Sequence, residues 1–230
     1  MDEDALWAAV DAHRGEVVAL LWSLDDEEWD RPSLCTGWTV RDVAAHLALQ
    51  QSGLLDVVKQ LRHYRGGGMQ GLIRDSARAK AAAPTVRLIA EIDAMRGSRR
   101  HNFGVTPRET LIDILVHGQD IAVPLGRRLP LPPEPAAEAA TRLCDTLDRP
   151  TVRGLFRAVP WGAHRLTATD IAWTRGEGPE VRGAIGALLL LVAGRVVALD
   201  ELTGDGVDSL RAALTLSGAE PDDGSPESLG

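Results

Sequence analysis

Hydrophobic residues recur at helical spacing through the first 150 residues of the chain. Leu6, Val10, Val17 and Leu21 share one helix face, which predicts a first helix from about residue 4 to residue 24. Further helices are predicted by the same kind of pattern. They cover Thr39 to about Tyr64, Val86 to Arg100, Thr106 to just before Pro124, and Glu134 to Leu147.

Two of these helices begin with clear capping signals. Thr39 is followed three residues later by Asp42, a variant of the capping box. Thr106 is followed by Pro107 and then by Glu109, which is a full capping box with proline at the first helical position. Both patterns fix where a helix begins, so the residues that follow can be placed on helix faces.

The pattern changes after residue 150. Short alternating runs and turn residues replace the helical spacing, which predicts a small α/β domain over residues 151–216. The fold class is therefore α+β: a helical bundle over residues 1–150, this α/β domain, and a disordered tail over residues 217–230. The predicted elements are strands at Thr151–Val159, Arg165–Thr169 and Glu180–Arg182, and helices at Ile185–Leu199 and Val207–Leu214.

Composition narrows the function classes. A net charge of −8 argues against a nucleic-acid partner, because phosphates demand a basic face. The most apolar run, residues 184–199, is broken by Gly194 and Arg195 and is too short to span a bilayer, so no membrane partner is expected. The first residues are acidic, unlike a signal peptide, and two cysteines make no disulfide framework. We therefore expect a cytoplasmic protein, as a monomer or a homodimer.

Metal-ligand chemistry is concentrated on the two capped helices. Asp113 and His117 lie four residues apart and share a face of the helix that starts at Thr106. His46 lies on an otherwise apolar stretch of the helix that starts at Thr39. If the two helices pack together, these three side chains make a two-histidine, one-carboxylate metal site with open positions. Asp120, three residues after His117, is then placed to accept a hydrogen bond from that imidazole.

Each of these residues also has a plain structural interpretation. Asp113, His117 and Asp120 belong to a polar stripe that is typical of a solvated helix face, and a single histidine such as His46 is often a hydrogen-bonded core residue. In that interpretation the bundle holds no metal at all. Gln50, one turn beyond His46, either lines the same pocket or lies on the surface.

Three other residues are weaker candidates. Arg195 has the planar guanidinium that binds anionic substrate groups, but a solvated cation or a structural ion pair explains it equally well. We interpret Cys35 and Cys144 as structural, because no residue near Cys35 in the sequence supplies a base that would activate its thiol.

Several ordered segments together resemble a known family. Residues 37–47 (GWTVRDVAAHL) and 115–122 (LVHGQDIA) are similar to two motifs of the mycothiol-dependent maleylpyruvate isomerase family. Residues 168–173 (ATDIAW), 176–183 (GEGPEVRG) and 188–195 (LLLLVAGR) are similar to its C-terminal part. The resemblance covers nearly the whole chain. It implies a DinB-like four-helix bundle followed by a sterol-carrier-like domain.

The resemblance also implies a function. A site of the type histidine, carboxylate, histidine falls on His46, Asp113 and His117 and would hold a divalent metal, with Zn²⁺ as the first choice and Ni²⁺ or Fe²⁺ as alternatives. Mycothiol would be the thiol cosubstrate. As a metal-bound thiolate it would attack a small electrophile, in a cis–trans isomerase or an S-transferase. The alternative is a non-catalytic metal- or ligand-binding protein of the same fold.

One residue departs from the family pattern. The family usually has Glu four residues before the second histidine, and this chain has Asp113. Asp is one methylene shorter, so its carboxylate reaches about 1.5 Å less far, which is large beside metal–ligand distances near 2.0–2.2 Å. Either the helix lies closer to its neighbour, or a water bridges the gap, or the metal is bound weakly.

Overall fold

The computed structural model describes residues 1–102, 104–149 and 161–216, and it divides into two compact units. The first unit covers Met1–Pro130 and the second begins at Leu131. The predicted strand at residues 151–159 and the predicted tail from residue 217 lie outside the described residues. The α+β class is confirmed, since the chain is mostly helical and carries a small sheet near its C-terminal end.

The first unit is helical throughout its described part. Its core is formed where α1, α2, α5 and α6 pack on one another, while α4 packs against α2. The helices are α1 (Glu3–Trp22), α2 (Val40–Leu47), α3 (Leu54–Gln60), α4 (Gly68–Ala81), α5 (Thr85–Asp93) and α6 (Pro107–Ala122).

Both capping signals are confirmed. The side chain of Thr39 accepts from the backbone N–H of Asp42, whose carboxylate accepts from the N–H of Thr39, and α2 begins at the next residue. The carboxylate of Glu109 accepts from the backbone N–H of Thr106, and α6 begins at Pro107. These caps satisfy N–H groups that have no partner inside a helix.

The helices between the two caps differ from the prediction. The helix expected to run from Thr39 to about Tyr64 ends at Leu47, and α3 begins only after Gly53. The helix α4 was not predicted, and the predicted helix over residues 86–100 is the shorter α5. Pro84 separates α4 from α5 because proline cannot continue the backbone hydrogen bonding of a helix, and Gly97 adopts a left-handed conformation just after α5.

A glycine brings α6 close to α1. A Cβ atom at Gly118 would lie 2.7 Å from Leu129 Cδ2, 3.1 Å from His13 Nε2 and 3.2 Å from Val17 Cγ2. These contacts are too short for any larger residue without movement of its neighbours. The absence of a side chain at Gly118 therefore sets the spacing of the helix that carries Asp113 and His117.

The second unit combines a three-stranded sheet with helices. In the described residues, β1 (Arg165–Ala168) lies between β2 (Thr174–Arg175) and β3 (Glu180–Gly183), antiparallel to β2 and parallel to β3. The helices of this unit are α7 (Pro133–Leu147), α8 (Ile185–Val192) and α9 (Val207–Leu216), and α8 is followed by a 3₁₀ segment at Val196–Glu201 instead of continuing to Leu199 as predicted.

The helix α7 belongs to this second unit, although residues up to 150 were expected in the helical bundle. It packs against α8 along small buried residues, Ala136 and Ala140 among them. Trp173 Nε1 donates to Thr141 Oγ1 at 2.9 Å, and the guanidinium of Arg175 binds Asp145 at 2.7 Å. These contacts tie the helix to the sheet, so the division of the structure falls after Pro130.

None of the helices in the described part of the chain combines the length and the apolar composition that crossing a bilayer requires.

Burial of His13 makes the stability of the bundle depend on pH. The side chain is 3% exposed, and burial lowers its pKa from 6.5 to about 4. An unfolded chain therefore takes up this proton at a higher pH than the folded chain does. The contribution of neutral His13 to the free energy of unfolding is fully present above pH 6.5. As the pH falls from 6.5 towards 4, the free energy of unfolding decreases by on the order of 3 kcal/mol at most.

We therefore expect His13→Leu to flatten the pH dependence of the unfolding free energy between pH 7 and pH 4, measured by urea denaturation. The matched variant His101→Leu, at an exposed histidine, should keep the wild-type slope. Equal slopes in wild type and His13→Leu would show that His13 is not the group responsible.

Candidate metal centre

The three predicted metal ligands meet between α2 and α6. His46 Nε2 lies 3.3 Å from Asp113 Oδ2, and His117 Nε2 lies 3.4 Å from Asp113 Oδ1. One ligand atom from each residue can be chosen so that all three lie within 4.8 Å of one another. The two imidazole rings are nearly perpendicular, with centroids 4.8 Å apart. The packing of α2 on α6, which the sequence could only assume, brings the set together.

These separations fit a metal ion. Ligand atoms 2.0–2.2 Å from a tetrahedral centre lie about 3.3–3.6 Å from one another. The carboxylate of Asp113 meets both imidazoles at such distances in spite of its short side chain.

His46 provides a second test of fit. Its Nε2 atom is shielded from water and makes no well-formed hydrogen bond within the described part of the chain, although Asp113 Oδ2 lies 3.3 Å away. A buried polar atom without a partner costs free energy, and such atoms are rare in folded proteins. A cation between His46, Asp113 and His117 would satisfy this atom, so the residues present fit a metal.

Asp120 holds the other side of the His117 ring. Its side chain is fully buried, and its Oδ2 lies 2.8 Å from His117 Nδ1. A carboxylate at this position fixes the orientation of an imidazole and the ring nitrogen that carries the proton. The contact that we expected between Asp120 and His117 is therefore present, with Nε2 left to face Asp113 and His46.

Charge is strongly coupled across the cluster. Burial by itself would raise the pKa of Asp113, but the adjacent His46 and His117 imidazoles hold that pKa well below its usual value. Burial by itself would lower the pKa of His117, but hydrogen bonds to Asp113, Asp120 and Cys35 raise it well above its usual value. Without a metal, these contacts favour the protonated, positively charged form of His117.

The structure adds Cys35 to this neighbourhood. Its Sγ lies 3.1 Å from Asp120 Oδ2 and 3.7 Å from His117 Nδ1. Our reason for interpreting Cys35 as structural, the lack of a nearby base, is therefore wrong. Cys35 lies in the loop before α2, and the N–H of Leu34 in that loop donates to the carbonyl of Asp120 at 3.1 Å, which holds the loop against α6. Cys35, His117 and Asp120 form a second group with metal-ligand chemistry.

Gln50 is the other neighbour that the sequence left open. It is buried, and its side-chain amide donates to Asp113 Oδ2 at 3.1 Å. The only sequence signal for this contact was the position of Gln50 one turn beyond His46. Trp38 also adjoins the site, with its ring edge-on to His46 at a centroid distance of 5.8 Å.

Arg195 lies in the second unit, in the turn between α8 and the 3₁₀ segment, where it is half-buried and donates to the carbonyl of Ala193. Its predicted role in binding substrate stays a prediction.

A surface cavity of about 450 Å³ lies elsewhere in the first unit, lined by residues that include Asp56, Lys59 and Glu91. Its charged side chains already form ion pairs within the chain: Lys59 pairs with Asp56 at 3.7 Å, and Glu91 pairs with Lys80 and Arg87. The two-histidine cluster is therefore the stronger candidate for chemistry.

Part of the chain matches a known protein family. Residues 10–111 match the family described as the mycothiol maleylpyruvate isomerase N-terminal domain. The matched segment includes His46 and ends two residues before Asp113.

The whole fold has counterparts among solved structures. A crystal structure of the mycothiol-dependent maleylpyruvate isomerase superposes with a TM-score of 0.57 at 13% identity, covering 89% of this chain and 93% of that one. A point mutant of that enzyme gives a TM-score of 0.56 at 12% identity with the same coverage. At these identities the likeness establishes the fold alone. No curated protein matches the chain.

The charge coupling can be measured in the metal-free protein. We expect the His117 ring to titrate well above pH 6.5 in NMR spectra, because the charged ring donates to Asp113 and Asp120. In Asp113→Asn one of these carboxylates is lost, so the His117 pKa should fall. An unchanged pKa in Asp113→Asn, or a His117 that is neutral at pH 7 in wild type, would contradict the described network.

Proposed function

We propose that this protein is a metal-dependent enzyme that uses mycothiol as its thiol cosubstrate and acts on a small electrophilic substrate. The observation that carries the proposal is the meeting of His46, Asp113 and His117, with His46 Nε2 buried next to the Asp113 carboxylate and without a well-formed hydrogen bond. The choice of thiol is supported by the match of residues 10–111, because the matching family and the similar solved structures are named for mycothiol. Isomerisation is the reaction class that the same names carry, and S-transfer is the alternative outcome of the same attack by a thiolate on an electrophile.

The donor set supports a borderline divalent ion. Two neutral imidazoles and one carboxylate suit Zn²⁺, and Ni²⁺ or Fe²⁺ accept the same ligands. Three protein ligands leave a coordination position for an exogenous group. When bound, such an ion supplies a positive charge that favours the thiolate form of a cosubstrate thiol at neutral pH.

The residues of the chain prepare the site for that ion. Asp120 accepts from His117 Nδ1, which leaves Nε2 to face Asp113 and His46. Asp113 contributes the negative charge that a cation requires. The imidazoles are 14% and 17% exposed, whereas Asp113 is 31% exposed, so the site is most open to solvent on the side of the carboxylate. We infer that small molecules approach from that side.

If the proposed function is correct, the purified protein binds a metal ion and its turnover of substrate depends on a thiol. Wild type should hold about one divalent ion per chain by elemental mass spectrometry. It should convert maleylpyruvate or another small electrophile only when mycothiol is present. His46→Ala should lose both the bound ion and the thiol-dependent turnover. It should keep the helical circular dichroism of wild type, because His46 is partly exposed and the substitution removes only a ligand. His63→Ala, a histidine outside the cluster, is the matched control and should keep both.

Other outcomes separate the alternatives. Bound metal with no thiol-dependent turnover on any electrophile would favour a non-catalytic metal- or ligand-binding protein. A protein that takes up no metal after reconstitution would overturn the proposal. The product distinguishes the two reaction types, since an isomerase returns mycothiol unchanged and an S-transferase retains it in a conjugate.

A further inference from the structure

Gln50 lies three residues after the end of α2, the helix that carries His46. Its backbone N–H donates to the carbonyl of Leu47 at 3.2 Å, and the N–H of Leu49 donates to the carbonyl of His46 at 2.9 Å. These turns continue α2 and direct Gln50 towards α6. The side chain is 3% exposed, so its position is determined by packing as well as by the backbone.

The contact of Gln50 is with a single carboxylate oxygen. Its Nε2 donates to Asp113 Oδ2 at 3.1 Å, and the same oxygen lies 3.3 Å from His46 Nε2. The other oxygen, Oδ1, faces His117 Nε2 at 3.4 Å. An aspartate carboxylate rotates over a broad range about its last torsion, so a fixed donor on one oxygen restricts the direction of both.

The chemistry of an amide suits this task. A carboxamide N–H₂ group donates without carrying a charge, so it neither repels a cation by a positive charge nor removes the negative charge of the carboxylate. A lysine or arginine at this position would pair with Asp113 and compete with a metal ion for it. Gln50 orients the carboxylate and leaves its charge available.

We propose that Gln50 is a positioning residue for the metal centre: its hydrogen bond holds the Asp113 carboxylate between His46 and His117. This inference rests on the proposed metal function. It also explains how an aspartate serves where the family usually has a glutamate, since a short carboxylate needs a fixed direction to reach both neighbours. The partners of metal ligands affect metal affinity by about 10- to 100-fold in other proteins.

The test compares two glutamines that are adjacent in the sequence. Gln50→Met keeps a side chain of similar length and removes the donor. Gln51→Met is the matched control, because Gln51 accepts from Ser98 Oγ at 3.3 Å on a different part of the unit. Co²⁺ is titrated into each metal-free protein against a competing chelator, and its ligand-field absorption is recorded. We expect Gln50→Met to bind Co²⁺ about 10-fold more weakly, with an altered absorption band, and Gln51→Met to match wild type.

A comparison of wild type with Asp113→Asn covers the case in which Gln50→Met does not fold. In the metal-free protein, the side-chain amide resonances of Gln50 should shift when Asp113 is replaced in Asp113→Asn, since the charged acceptor is removed. Unmoved resonances, or equal Co²⁺ affinities and spectra for wild type and Gln50→Met, would overturn the role of Gln50 alone. Failure of wild type to bind Co²⁺ would overturn the metal function and this inference together.

Discussion

His117 lies between two carboxylates, and this interaction organises the site. Asp120 binds one ring nitrogen from within the buried core, and Asp113 faces the other from the same helix. An imidazole flanked in this way has a fixed orientation, and the two carboxylates favour its positively charged form. In the metal-free protein a bound proton supplies this positive charge, and a divalent ion can take the place of the proton. Metal binding at this site should therefore strengthen as the pH rises, because the ion competes with that proton.

The packing of the bundle serves this arrangement. Gly118, next to His117, allows α6 to lie close to α1, and the contact of α2 with α6 places His46 opposite Asp113. Capping boxes at Thr39 and Thr106 define where both helices begin. The ligand set depends on the distance between two helices, so a change of a few tenths of an ångström in their packing alters the site.

The sequence was sufficient to predict where the capped helices begin, but not where helices end or which unit α7 belongs to. Caps are local, so the starts of α2 and α6 followed from a few adjacent residues. The break after Leu47 was missed because the apolar pattern continues across it, and tertiary packing decides where that helix ends. The helix α4 was missed because it begins at the last of three glycines and carries few large apolar residues. The assignment of α7 depends on contacts with α8 and Arg175 that no local pattern reveals.

The site shows the same division between local and long-range information. Asp113, His117 and Asp120 are close in sequence, and their shared helix predicted that they would be neighbours. Cys35 and Gln50 join them through a loop and a turn whose directions are set by long-range hydrogen bonds. The family resemblance linked His46 to the other two ligands.

The most direct measurement of the central claim is the location of the metal in a crystal of the reconstituted protein, by anomalous scattering at the absorption edge of the ion. We expect one ion bound by His46 Nε2, the Asp113 carboxylate and His117 Nε2, with Cys35 Sγ outside the coordination sphere. An ion held by Cys35, His117 Nδ1 and Asp120, or a crystal without an anomalous peak between α2 and α6, would contradict it.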